Sequence, residues 1–101
     1  MPNFYDINEY KQSLEDGQYW KPMKETGNIE FGIIKIIPKV IDAQKPHLKD
    51  EIYHITSGKG KITIKNQTYE VGPNMIFFVP RNTNHHFHDI IETIEGVYFL
   101  N

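Results

Sequence analysis

The stretch Lys45-Pro46-His47-Leu48-Lys49-Asp50-Glu51 and the later run Pro80-Arg81-Asn82-Thr83-Asn84-His85 hold one carboxylate and two imidazoles at spacings that a β-barrel can bring together. That is a metal site in outline. In extended chain, side chains two or four apart share a face, so His47 and Glu51 point the same way, with Lys45 and Tyr53 beside them and His54 opposite. Further on, His85 and Phe87 share one face and His86 and His88 the other, so only one of these three histidines need be inside. Two imidazole nitrogens and a carboxylate leave coordination positions open on a divalent cation. The set suits iron, manganese, cobalt, nickel, copper or zinc better than calcium or magnesium. The chain has no cysteine, which removes thiolate ligands, thiolate nucleophiles and disulfides together and leaves histidine and carboxylate to do the binding.

The elements that must position these residues are mostly strands. From Asp6 to Gly17 the pattern is helical: Asp6 can cap, Glu9 stands three residues on, and Ile7, Tyr10 and Leu14 fall on one face. A polar passage with Trp20, Pro22 and Gly27 follows. Branched apolar residues then dominate Ile29 to Ile37, which predicts a strand ended by Pro38. Beyond Glu51, short strands alternate with turn residues: Glu51 to Thr56, a turn at Ser57-Gly58-Lys59-Gly60, Lys61 to Lys65, a turn at Asn66-Gln67, Thr68 to Val71, a turn at Gly72-Pro73-Asn74, and Met75 to Val79. The last strands are expected near His85 to Asp89 and Thr93 to Leu100. Regularly spaced short strands indicate a sandwich or barrel. Tyr53, Phe77, Phe78, Phe87, Tyr98 and Phe99 are foremost core material, with Tyr53 and Phe87 also placed by parity beside the candidate ligands.

Composition narrows the classes of function. With 101 residues, 39% of them hydrophobic, the chain can bury one core and not two. A formal net charge of −2 offers no broad positive surface to track a phosphate backbone, so nucleic acid is not expected as a partner. No apolar run reaches signal-peptide or membrane-span length, and the expectation is a cytoplasmic protein without membrane contact. The glycines at 58 and 60 precede no helix, which excludes a phosphate loop, and no Ser-His-Asp pattern is present. Asp50 neighbours Glu51 but faces the other way in a strand, so it reads as a solvated or turn-bonding group.

The segment His47-x-x-x-Glu51, six residues and Gly58, followed by Asn74, five residues and Pro80-x-Asn82-x-x-His85, resembles the two signature motifs of the cupin superfamily. The spacing matches from Lys45 to Asp89, and the identities depart at named positions. Lys45 stands where the family's leading histidine is expected, and a protonated amine does not bind a metal. Asn74 and Asn82 replace two glycines, and asparagine is the residue other than glycine that best tolerates a left-handed backbone. Asp89 replaces a closing asparagine.

The resemblance implies an all-β double-stranded β-helix, or jelly-roll barrel, with a short N-terminal helix: residues 1–28 as helix and lead-in, 29–101 as the barrel. It also implies His47, Glu51 and His85 as metal ligands, with Lys45, Tyr53 and Phe87 around a small-molecule ligand, and a homodimer to which the strand from Ile29 to Ile37 would contribute. Three functions fit. One is a metal-dependent enzyme, dioxygenase- or isomerase-like, acting on a small organic molecule with iron, manganese, copper, nickel or zinc. Another is a non-catalytic ligand-binding or sensor module. The third is a metal-free structural barrel in which Lys45 pairs with Glu51 and neutralises it.

Overall fold

A computed structural model describes residues 3–14, 19–39 and 46–101. Helix α1 (Ile7–Gln12) starts at Asp6, whose carboxylate accepts from the Asn8 N–H at 2.9 Å. That bond satisfies one of the orphan donors of the first turn. The helix ends at Gln12 with Ser13 as its cap, short of the expected stop at Gly17, which itself lies outside the described residues. The strands are β1 (Trp20–Glu25), β2 (Glu30–Ile36), β3 (Glu51–Ile64), β4 (Gln67–Val71), β5 (Ile76–Val79) and β6 (His85–Leu100). Among the described residues they form one antiparallel sheet in the order β1-β2-β6-β3-β4, with β5 added on β3.

The frame is the β3–β6 ribbon, and it corrects an expectation. Ser57 to Gly60 do not turn the chain. They are a set of irregularities inside one strand of 14 residues paired with one of 16. Register shifts at Ile55/Ser57, Ser57/Lys59 and Lys59/Lys61 bend the ribbon, as bulges do. They also reverse the inward parity: Glu51, Tyr53 and Ile55 are buried before the bend, Gly60 and Ile62 after it. On β6 the parity likewise changes from His85 and Phe87 to Ile94, Gly96 and Tyr98, with Asp89 at φ 49° in between. Gly58 has φ 105°, and a Cβ there would lie 2.2 Å from the Thr93 carbonyl oxygen. A side chain would therefore hold the two strands apart.

The bent ribbon serves two groups of strands. Glu51 to His54 and the C-terminal half of β6 pair with β5 and β2, while Gly60 to Ile64 pair with β4 and with His85 to His88. This is the double-stranded β-helix. Between the layers lies one core of Ile34, Ile36, Tyr53, Ile55, Ile62, Val71, Phe77, Val79, Phe87, Ile94 and Tyr98, each such side chain contributing about 1.5–3 kcal/mol of burial. A second correction concerns Trp20 to Glu25, read as a polar passage: it is strand β1. Pro22 is tolerated because β1 is an edge strand whose register shifts between Pro22 and Lys24, where no ladder bond from proline is required. The β3–β4 turn is Lys65-Asn66, one residue earlier than expected.

Candidate metal centre and its cavity

Two turns carry the candidate ligands. His47 lies in the irregular segment before β3, Glu51 opens β3 and His85 opens β6. The strand parity that places His47 with Glu51 therefore reaches the right face by a different route, because the chain bends at Leu48 and Lys49. The segments are cross-tied. The Asn82 N–H donates to the His47 carbonyl at 2.7 Å, and the Arg81 N–H donates to the Asp50 carboxylate at 2.9 Å. Asn82 can make this bond because its backbone is left-handed, φ 59°, as is that of Asn74 at φ 67°. Asparagine thus does at both positions what glycine would do. Asp50 is a turn-bonding group, as read, and its carboxyl is held below the usual range first by the Arg81 N–H and then by the Arg81 guanidinium.

His47, Glu51 and His85 come together. One donor atom from each lies within 4.8 Å of the others. Glu51 Oε1 is 3.3 Å from His47 Nε2 and 3.2 Å from His85 Nε2, while Glu51 and His85 are 4% and 2% exposed. His85 Nδ1 stands 2.9 Å from the Thr83 carbonyl oxygen. A carbonyl only accepts, so Nδ1 carries the proton and, in the neutral ring, Nε2 turns its lone pair toward the carboxylate. His47 Nε2 and Glu51 Oε1 are buried without a hydrogen-bond partner among the described residues. With both rings neutral and the carboxylate ionised, such electron-rich atoms repel, and a cation between them, a proton or a metal ion, removes the repulsion. Two atoms each about 2.1 Å from one ion are about 3.0–3.4 Å apart at octahedral or tetrahedral angles. Both separations to Glu51 fall in that range, so each histidine–carboxylate pair fits a transition metal, the three donor atoms lying within 4.8 Å of one another.

The other expected site residues are distributed as follows. Tyr53 is 1% exposed, its ring 6.2 Å from that of His85, and it lines the cavity beside the ligands. Phe87 is equally buried, with its ring edge-on to Tyr53 at 5.0 Å. It backs Tyr53 and is not among the residues lining the cavity. Lys45 lies outside the described residues, and with it the expected Lys45–Glu51 pair. His86 is exposed, and His88 joins an outer polar network with Thr63 and Asp89.

The cavity holds about 410 Å³, in the range of small-molecule sites. His47, Glu51 and Tyr53 form one wall, and Glu30 of β2, Tyr98 of β6 and Trp20 of β1 form another. Sequence reasoning passed over this second wall. The Tyr98 hydroxyl donates to Glu30 Oε2 at 2.6 Å, and burial, then the Glu30 bond, push its pKa far up. Gly32 makes this possible: a Cβ there would come within 2.7 Å of the Tyr98 ring and hydroxyl.

Residues 25–93 match the family model of the cupin domain. The chain belongs to the cupin family. The uncharacterised protein SCO3923 of Streptomyces coelicolor is 33% identical over 89 residues, covering 88% of this chain and 84% of that protein. The cupin fold recurs in the plu4264 protein of Photorhabdus luminescens, with TM-score 0.77, 12% identity, and coverage of 99% of this chain and 88% of the other. It recurs also in the cupin domain of Schizosaccharomyces pombe Cnp3, with TM-score 0.72 and 17% identity over 80% of this chain. This cupin spans only 61% of the length of that second structure. Identities so low speak for the fold alone. Among the described residues of the cupin, no helix is long and apolar enough to cross a membrane.

Proposed function

We propose that this cupin binds one divalent transition metal, iron, manganese, copper, nickel or zinc, on His47, Glu51 and His85, and uses it on a small organic molecule held in the adjoining cavity. The observation that supports this best is the convergence of His47 Nε2 and His85 Nε2 on the buried Glu51 Oε1 at 3.3 Å and 3.2 Å, with the His85 ring oriented by the Thr83 carbonyl. A bound cation would act as a Lewis acid toward a ligand oxygen or nitrogen. Tyr53 would shape the wall beside it, and the backing of Phe87 would keep the Tyr53 ring in place. The chemistry fits a dioxygenase- or isomerase-like enzyme, and equally a ligand-binding module. Metal analysis by plasma mass spectrometry of untagged, unchelated protein tests the reading. Near-stoichiometric metal, lost in His85→Ala, is expected. A protein that stays metal-free after incubation with all five ions would leave the metal-free barrel with a Lys45–Glu51 pair as the better account.

We further infer a homodimer, with a contact other than the one expected. Of the branched residues from Ile29 to Ile37, Ile33, Ile34 and Ile36 are committed to the chain's own interior at 0%, 3% and 0% exposed, and only the ends, Ile29 and Ile37, are open at 40% and 45%. Phe78, Ile52 and Phe99 instead form a row in register across β5, β3 and β6, with 55%, 40% and 38% exposed. Such a row on a sheet face suits a second copy. Sedimentation should give a dimer that Phe78→Asp dissociates, and a monomeric parent would refute it.

A further inference from the structure

The cavity has a second pole. Glu30, Leu100 and Glu51 are direct partners in register across β2, β6 and β3, so the two carboxylates stand on one row, two strand spacings or roughly 9.5 Å apart at the backbone. The next row inward is Gly32, Tyr98 and Tyr53. The rest of this wall is aromatic: Tyr98 reaches Glu30, and Trp20, in register with Ile34 four residues along β2, and the adjacent Tyr19 continue the lining. The Trp20 and Tyr98 rings are 6.3 Å apart and 78° from parallel, which makes a corner of two π-walls. No lysine or arginine lines the cavity among the described residues. Trp20 is 47% exposed and Tyr98 3%, so solvent reaches the corner only from the Trp20 side.

Aromatic walls at right angles beside a carboxylate attract positive charge: the ring faces carry negative potential, and the carboxylate adds a full charge at short range. The Tyr98 hydroxyl occupies one Glu30 oxygen and fixes the orientation of the group. Among the described lining residues, an anionic ligand would meet Glu30 with no basic side chain to balance it at this end. A neutral apolar ligand would leave the carboxylate stripped of water.

We propose that the cavity selects a small organic cation, an amine or quaternary ammonium, whose positive centre sits in the Trp20–Tyr98 corner against Glu30. The proposal rests on the reading that the cavity takes a small organic molecule, and it does not need the metal. With a metal on Glu51, the ligand has one end for the cation pole and one for the metal pole.

Calorimetry with choline and with 3,3-dimethylbutan-1-ol, its uncharged isostere, separates charge from shape. Choline should bind at least about tenfold more tightly, the gain expected from one desolvated cation–π contact or more. Glu30→Gln, which keeps an oxygen to accept from Tyr98, should remove most of that preference and leave the alcohol unchanged. Trp20→Leu should do the same, and a thermal unfolding midpoint near that of the parent shows that each variant is folded. Equal affinity for the two probes, no choline binding at millimolar concentration, or a preference that survives Glu30→Gln would overturn the proposal. Metal content measured on the same sample keeps the two readings apart. Choline preference in protein that refuses metal overturns the metal centre alone, and metal-loaded protein without the preference overturns the cation pole alone.

Discussion

Replacing Glu51 by glutamine changes one atom of a buried carboxylate and should alter stability differently with and without metal. In chelator, the parent protein holds Glu51 Oε1 3.2 Å and 3.3 Å from two imidazole nitrogens, with no hydrogen bond to it among the described residues. A buried acceptor left in this state costs about 1–3 kcal/mol. The glutamine amide can donate to an imidazole lone pair, so Glu51→Gln should be as stable as the parent or more so by up to that amount. Metal reverses the comparison. At a concentration 100 times its Kd, a ligand of the native state adds about 2.7 kcal/mol. If loss of the charged ligand weakens binding by about 100-fold, the size reached even by lost outer partners of metal sites, the variant gains only about 0.4 kcal/mol. At about 4–8 °C per kcal/mol for a domain of this size, metal should raise the parent midpoint by roughly 10–20 °C and the variant midpoint by roughly 2–3 °C. Thermal unfolding followed by circular dichroism, in chelator and then with each metal, reads both numbers. Equal metal shifts in the two proteins would remove Glu51 from the site. A variant weaker by about 3–5 kcal/mol in chelator, with no metal shift in either protein, is the signature of a broken buried Lys45–Glu51 pair.

Two titrations test other parts of the frame. Asp50 has its pKa lowered from 3.8 by the Arg81 N–H and guanidinium. The folded state thus holds the proton less tightly than the unfolded one, and this contribution is present above 3.8 and fades as pH falls through the lowered value. The stability gap between the parent and Asp50→Asn, from urea unfolding, should be constant above about pH 5 and close in acid; a gap that persists there would refute the Arg81 pairing. Tyr98 works at the other end of the scale. Burial and Glu30 raise its pKa from 10.0, so above that pH the unfolded chain gives up a proton that the folded chain keeps, and stability falls. Absorbance at 295 nm should show fewer than the six tyrosines titrating before the protein unfolds, and in Tyr98→Phe the number silent until unfolding should fall by one.

What was legible in the chain and what was not divide by range. Gly58, Asn74, Asn82 and His85 could be read because each answers a local demand of backbone geometry or motif spacing, and three of those four have positive φ. His47 was readable only through its spacing to Glu51. Its strand geometry is absent, since Leu48 and Lys49 bend. The turn expected at Ser57 to Gly60 failed for a physical reason: two glycines in four residues signal a hairpin or a bulge alike, and only the partner strand decides. The Glu30–Tyr98 bond joins residues 68 apart in sequence, and nothing local in either residue announces it. Trp20 was hidden for a related reason, because Pro22 speaks against a strand unless the strand is known to be at an edge.

The two poles owe their separation to the sheet. Glu30 and Glu51 are not brought close by a loop that could shift. They sit on one row with Leu100 between them, so their spacing is fixed by two inter-strand distances, which are among the stiffest lengths in a protein. The bulges between Ile55 and Lys61 matter here as well. Because they reverse parity, Glu51 and Tyr53 at one end of β3 and Ile62 at the other can all face inward, so the same strand supplies both cavity wall and closed core. Without that reversal, the pattern that buries Glu51 would turn Ile62 out to solvent. The ligand that fits is therefore constrained in length as well as in charge. A cation too short to reach from the Trp20–Tyr98 corner to Glu51 would occupy the corner and leave the metal pole to water, and one that spans the row would exclude water from both.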